Sequence, residues 1–120
     1  MDQFDDRSPI YLQIADQIRD GILSGDLKEE DQIMSTTQYA TTYRINPATA
    51  AKAMNLLVDD GLIYKKRGMG MFVSPGAREQ LVAELRGGFF SQTLQPAIER
   101  AEMLGIPRAA LIDYITGETS

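Results

Sequence analysis

The chain has 120 residues and a formal net charge of −5, from 12 basic and 17 acidic side chains, and it contains neither Cys nor His. Those two zeros exclude disulfides and thiolate chemistry, and they remove the commonest metal ligand and the commonest general base. With 43% hydrophobic and 24% charged residues, and no apolar run near the roughly 20 residues that cross a bilayer, the composition is that of a soluble globular protein without a membrane anchor, large enough for one sizeable core.

No phosphate-cradling Gly-rich loop or nucleophile elbow is present, so carboxylate-only hydrolysis or Mg²⁺ chemistry is the one enzymatic reading left, and no cofactor is expected. The opening residues Met1 to Asp6 are acidic where a secretory signal is basic and then apolar, so a cytoplasmic protein is expected. The charge is unevenly placed: residues 1–31 carry net −6, residues 32–71 net +3 and residues 72–120 net −2. The positive middle stretch is where a polyanion is expected to bind, with acidic flanks facing away from it.

In chain order, Ser8 followed by Pro9 predicts a helix start capped by the Ser8 hydroxyl. Tyr11, Ile14, Ala15, Ile18 and Ile22 form its apolar stripe, and Gly25 ends it, followed by a polar connecting loop through Asp31. Ser35-Thr36-Thr37-Gln38 has capping-box spacing and opens a second, short helix presenting Tyr39, Ala40 and Tyr43 inward. Pro47 stops that helix before Asn46, which caps a third helix with Pro47 at its first position.

Ala50, Ala53, Met54, Leu57 and Val58 form the third helix's buried stripe, and Gly61 terminates it. Two short helices joined by a tight turn make a helix-turn-helix. Leu62-Ile63-Tyr64 and Met71-Phe72-Val73 then read as strands flanking Lys65-Lys66-Arg67-Gly68-Met69-Gly70, a two-stranded wing with a basic tip. Ser74-Pro75-Gly76 marks the expected junction between a head over 1–74 and a helical tail over 75–120. In the tail Leu81, Val82, Leu85 and Phe89 make one stripe, and Leu94, Ala97, Ile98, Ala101 and Leu104 a second. Leu111, Ile112 and Ile115 form a last short helix after Pro107, and Gly87-Gly88 is a candidate bend in the first of these helices.

The ordered series Pro9-Ile10-Tyr11, Gln13-Ile14, Ile22 to Leu27, Ser35, Ala40, Ile45 to Ala50, Gly61 to Tyr64 and Arg67 to Val73 resembles the GntR-type bacterial transcription regulators, and within them the short-tailed YtrA-like branch. The resemblance implies a mainly α, α+β fold: a winged helix-turn-helix head with a helical dimerisation tail. It further implies a homodimeric regulator, most often a repressor, on an inverted-repeat operator in double-stranded DNA. A small-molecule effector at the dimer interface is compatible with such a tail, and no residue points to one. The chain departs from the family pattern with Glu29-Glu30-Asp31-Gln32-Ile33-Met34-Ser35 in place of Pro-Gly-Asp-x-Leu-Pro-Ser, and with Thr37 and Ala51 where many relatives carry Arg.

The expected DNA contacts are Ser35, Thr36, Thr37, Arg44, Asn46, Ala48, Thr49, Lys52, Lys65, Lys66, Arg67 and Gly68. The third helix is expected to enter the major groove by its N-terminal end. Asn46 caps that helix in either case. Thr49 and Lys52 reach phosphate or stay solvated, and Ala48 is a simple helix former or a contact for thymine methyls. Arg44 pairs with phosphate or with a nearby carboxylate. Arg67, beside Gly68, is expected to reach furthest towards the minor groove. Leu81, Leu85, Phe89, Phe90, Leu94 and Ile98 are the expected dimer interface. A winged helix turned protein-interaction module and a carboxylate-based hydrolase are the competing readings.

Overall fold

The computed structural model describes residues 4–118. It divides into two compact units, one through Val82 and one from Ala83 onwards. The first contains α1 (Ile10–Ser24), β1 (Gln32–Ile33), α2 (Thr36–Tyr43), α3 (Pro47–Asp59), β2 (Ile63–Lys66) and β3 (Gly70–Val73), and it ends within α4 (Ala77–Phe89).

The helical stripes form as the three- and four-residue spacing requires. Ile14, Ile18 and Ile22 of α1 meet Ala53, Met54 and Leu57 of α3, and Leu62, Ile63 and Val73 of the hairpin close the same core. Each of these isoleucine, leucine, valine and methionine side chains withdrawn from water stabilises the fold by about 1.5–3 kcal/mol before entropy is counted. Val58, expected in the α3 stripe, is 38% exposed, because it lies round the helix towards an open groove rather than towards α1.

Pro9, not Ser8, is the N-cap of α1, and no side chain caps that end. The extended Pro9 carbonyl instead accepts from the Leu12 and Gln13 N–H groups. The Gln13 amide reaches back to the Asp5 and Ser8 carbonyls. At α2 and α3 the local signals are realised. Ser35 and Gln38 form a complete capping box, and the Asn46 side chain accepts the Ala48 N–H at 2.8 Å.

The wing has a third strand. β1 pairs antiparallel with β3, giving the order β1-β3-β2, with Gln32 opposite Phe72 and Ile33 opposite Met71. Across the hairpin Ile63 faces Val73, Lys65 faces Met71 and Lys66 faces Gly70. Alternation along the strands therefore puts Ile63, Lys65, Met71 and Val73 on one face, and Gln32, Phe72, Tyr64 and Lys66 on the other.

Ser74-Pro75-Gly76 does not end the head. The Gly76 N–H donates to Glu29 Oε1, Arg78 Nε donates to the Leu23 carbonyl, and Ala77 and Leu81 are sunk in the head's core. The start of α4 is thus part of the first unit, and the boundary falls eight residues beyond the expected residue 74. Leu81, expected at a dimer interface, is 3% exposed within that core and is unavailable to a partner.

The second unit carries the remainder of α4, a π-helical turn (Phe90–Leu94), α5 (Gln95–Met103) and α6 (Arg108–Thr116). Gly87 and Gly88 do not break α4, and the departure from α-helical winding comes after Phe89. α5 and α6 enclose an apolar cleft of about 290 Å³ whose walls include Leu94, Ile98, Leu111 and Ile115. No helix among the described residues is long and apolar enough to cross a membrane.

Candidate nucleic-acid interface

An open groove of about 420 Å³ brings together three separate parts of the chain: Ser35, Thr36 and Thr37 at the start of α2, Ala51 and Asn55 on α3, and Lys65 on β2. Each wall has a local cause. The capping box turns the chain sharply into α2, so Thr36 and Thr37 sit in its first turn beside the N-terminal N–H groups. The Asn46 cap and Pro47 start α3 one short turn later. Helical geometry then stacks Ala48, Ala51 and Asn55 on one face. Strand alternation aims Lys65 at this groove and leaves Lys66 on the opposite face of the wing.

Ser35 has its hydroxyl committed to the Gln38 N–H, at 3.1 Å, while Thr37 is exposed. Arg44 takes the left-handed conformation, φ 55, that ends α2, and it pairs with no carboxylate among the described residues. Asn46 and Ala48 are exposed and Thr49 is half-buried at the N-terminal end of α3. Lys52 does not reach into the groove. Its Nζ lies 4.1 Å from the centroid of the Tyr11 ring on α1.

At the wing, Lys66 Nζ sits 4.5 Å over Phe72 and 5.8 Å over Tyr64. Arg67 and Gly68 form the exposed tip, in a turn closed by the Met69 N–H on the Lys66 carbonyl. Gly68 has φ 78 there, which an L side chain adopts only at a cost. The structure thus joins Ser35, Thr36, Thr37 and Lys65 in one groove. Arg44, Asn46, Thr49, Lys52, Lys66, Arg67 and Gly68 lie outside its walls.

Asn55, Tyr11 and the loop before α2 are missing from the sequence-based set. Asn55 is an exposed residue of α3, and only the wing's position makes it part of a groove. The Tyr64 hydroxyl donates to the Glu30 carboxylate, and this hydrogen bond raises the Tyr64 pKa above its ordinary value, with a smaller upward effect of burial; the nearby Lys66 acts in the opposite direction. Tyr39 is also shifted up, through burial and then the proximity of Tyr43, which fits its place against the core. Among the described residues no group of His, Cys, Asp or Glu is arranged to hold a metal ion.

Residues 10–73, more than half of the chain, match the family described as bacterial regulatory proteins, gntR family. The chain is similar to the HTH-type transcriptional repressor YtrA of Bacillus subtilis, 34% identical over 96% of this chain and 89% of that one. It is also similar to the repressor NagR of the same organism, 34% identical over 88% of this chain, and it spans only 40% of NagR's length. Among solved structures it resembles a GntR family transcriptional regulator from Listeria monocytogenes, with a TM-score of 0.73 and 28% identity over 95% of this chain and 98% of that one. It also resembles the DNA-binding domain of AraR in complex with operator ORX1, with a TM-score of 0.55 and 26% identity over 59% of this chain and 92% of that one.

Proposed function

The chain belongs to the GntR family of bacterial regulatory proteins, and from that membership we propose that it is a cytoplasmic transcription regulator, a repressor that binds an inverted-repeat operator as a homodimer. The observation that carries this reading is the groove in which the first turn of α2, the outer face of α3 and Lys65 of the wing converge. Hydroxyls, free helix N-terminal N–H groups and a cation on one surface are what a phosphate backbone and an adjacent major groove require.

Base contacts fall to Ala48 and the adjoining face of α3, with Asn46 at its entrance. Ser35, Thr36, Thr37, Arg44, Thr49, Lys52 and Lys65 position the phosphates, Lys66 adds positive charge from the other face of the wing, and Arg67 with Gly68 meets the minor groove side. The absence of Arg at Thr37 and Ala51 leaves few cations per subunit, so two linked heads on one operator gain affinity through effective concentration. The second unit supports that pairing. Leu85, Phe89 and Phe90 are 54%, 47% and 71% exposed, more apolar surface than such a short helical segment ordinarily leaves to water. Leu94 and Ile98 are half-buried in the apolar cleft wall of the same unit.

Selection of bound duplexes from random DNA, followed by fluorescence anisotropy across salt concentrations, tests the proposal. Specific binding that weakens steeply with salt is the expected result. No enrichment of any sequence overturns it in favour of a protein-interaction module.

A further inference from the structure

One short stretch of chain, Gln32-Ile33-Met34-Ser35, runs from the wing sheet to the first turn of α2, and therefore joins the two outer walls of the groove. Ile33 is 5% exposed and anchors this stretch in the core. Beside it Gln32 is paired with Phe72, and its side chain continues past the end of the β1–β3 ladder, where Nε2 donates to the Met69 carbonyl at 2.7 Å. Met69 closes the turn that carries Arg67 and Gly68.

Gly70, the next residue, has φ 118, and a Cβ there would stand 2.8 Å from Gln32 Nε2. The amide thus occupies space that only glycine leaves open. Beyond Phe72 and Met71 the tip has β2 as its one neighbouring strand, and a two-stranded ribbon is marginal by itself in water. Gln32 supplies the missing third-strand support with a side chain in place of backbone.

We infer that Gln32 is a positioning residue for DNA binding, whose amide holds Arg67 and Gly68 at a fixed height relative to Thr36 and Thr37 and so sets the span between the groove's two walls. The inference rests on the DNA-binding reading of the wing. Because the bond is exposed and peripheral, its loss acts on the tip and not on the core.

Gln32→Met keeps the length and removes the amide. Gln32→Glu sets a carboxylate against the Met69 carbonyl at neutral pH but restores a donor when protonated. Two measurements read the effect: amide hydrogen exchange at 68–70 in the DNA-free protein, and anisotropy on the selected operator. Gln32→Met is expected to speed exchange at the tip while α1 and α3 keep their protection. It should also weaken operator binding about two- to tenfold, the effect of one modest hydrogen bond.

Gln32→Glu should bind weakly at neutral pH and approach wild type, compared at equal pH, as pH falls below about 4.3. Adding Arg67→Ala to Gln32→Met should cost little more than Arg67→Ala alone. Unchanged tip exchange in Gln32→Met, or full additivity with Arg67→Ala, overturns the inference. If instead Arg67→Ala leaves operator binding intact, the wing's role in DNA binding fails, and the positioning role for DNA fails with it even where the exchange data show a braced tip.

Discussion

Lys52 on α3 and Tyr11 on α1 face each other with the ammonium 4.1 Å from the ring centroid. A cation expected to act from the third helix is thereby held to the α1 side, where it widens the positive surface instead of filling the groove. An exposed cation–π contact contributes roughly 0.5–1 kcal/mol.

Lys52→Ala should lower the salt slope of operator binding by about one unit. Tyr11→Leu should weaken binding by about two- to fivefold while Tyr11→Phe preserves it. Because Tyr11 also packs against the core, thermal unfolding is followed in parallel. An undiminished effect of Tyr11→Leu in the Lys52→Ala background would show that the ring does not act through the lysine.

Arg67 stands at the exposed tip, paired with no carboxylate among the described residues. Arg67→Ala should weaken binding to most sequences alike and reduce the salt slope by about one unit, as for one phosphate contact. Loss confined to one base position in a panel of operator variants would identify direct readout instead. Thr49→Ala should weaken binding with the melting temperature unchanged, and unaltered affinity removes Thr49 from the interface.

The Tyr64 phenol, donating to Glu30, titrates above its ordinary value of 10.0. A group whose pKa is raised on folding contributes stability that is complete below its unfolded pKa and is lost as pH rises through the folded one. The Glu30 tether of the wing should therefore persist through the neutral range and weaken only at alkaline pH. A phenolate absorbance titration of wild type minus Tyr64→Phe should be centred above 10.0. Glu30→Gln should move that difference curve to lower pH, and a curve that stays in place contradicts the tether.

Leu81 and Leu85 are one helical turn apart yet differ from 3% to 54% exposed. Leu81→Ala should cost about 2–5 kcal/mol of unfolding free energy in chemical denaturation. Replacing Leu85 and Phe89 together with Glu should leave the head folded but yield monomers in sedimentation that bind the operator poorly. A stable dimer from that pair would exclude this surface as the interface.

Signals confined to a few consecutive residues were readable before any fold was known. The Ser35 to Gln38 capping box and the Asn46-Pro47 start of α3 depend on groups two or three positions apart, so their chemistry is complete within the local chain. The apolar stripes of α1 and α3 were equally legible, since burying them requires only that some partner exist. The two-residue β1 was not, because no periodicity can show in so short a segment.

Amino-acid order by itself thus determined the helices of the head, the caps of α2 and α3, the hairpin and the family pattern, through short-range sterics and hydrogen bonding. Tertiary structure alone decided which surface each residue joins. It placed Leu81 in the head, Lys52 on Tyr11 and the Gln32 amide on the Met69 carbonyl 37 positions away. Such pairings depend on how whole elements pack around a shared core, and a local pattern carries no record of a neighbour that the chain reaches only by folding.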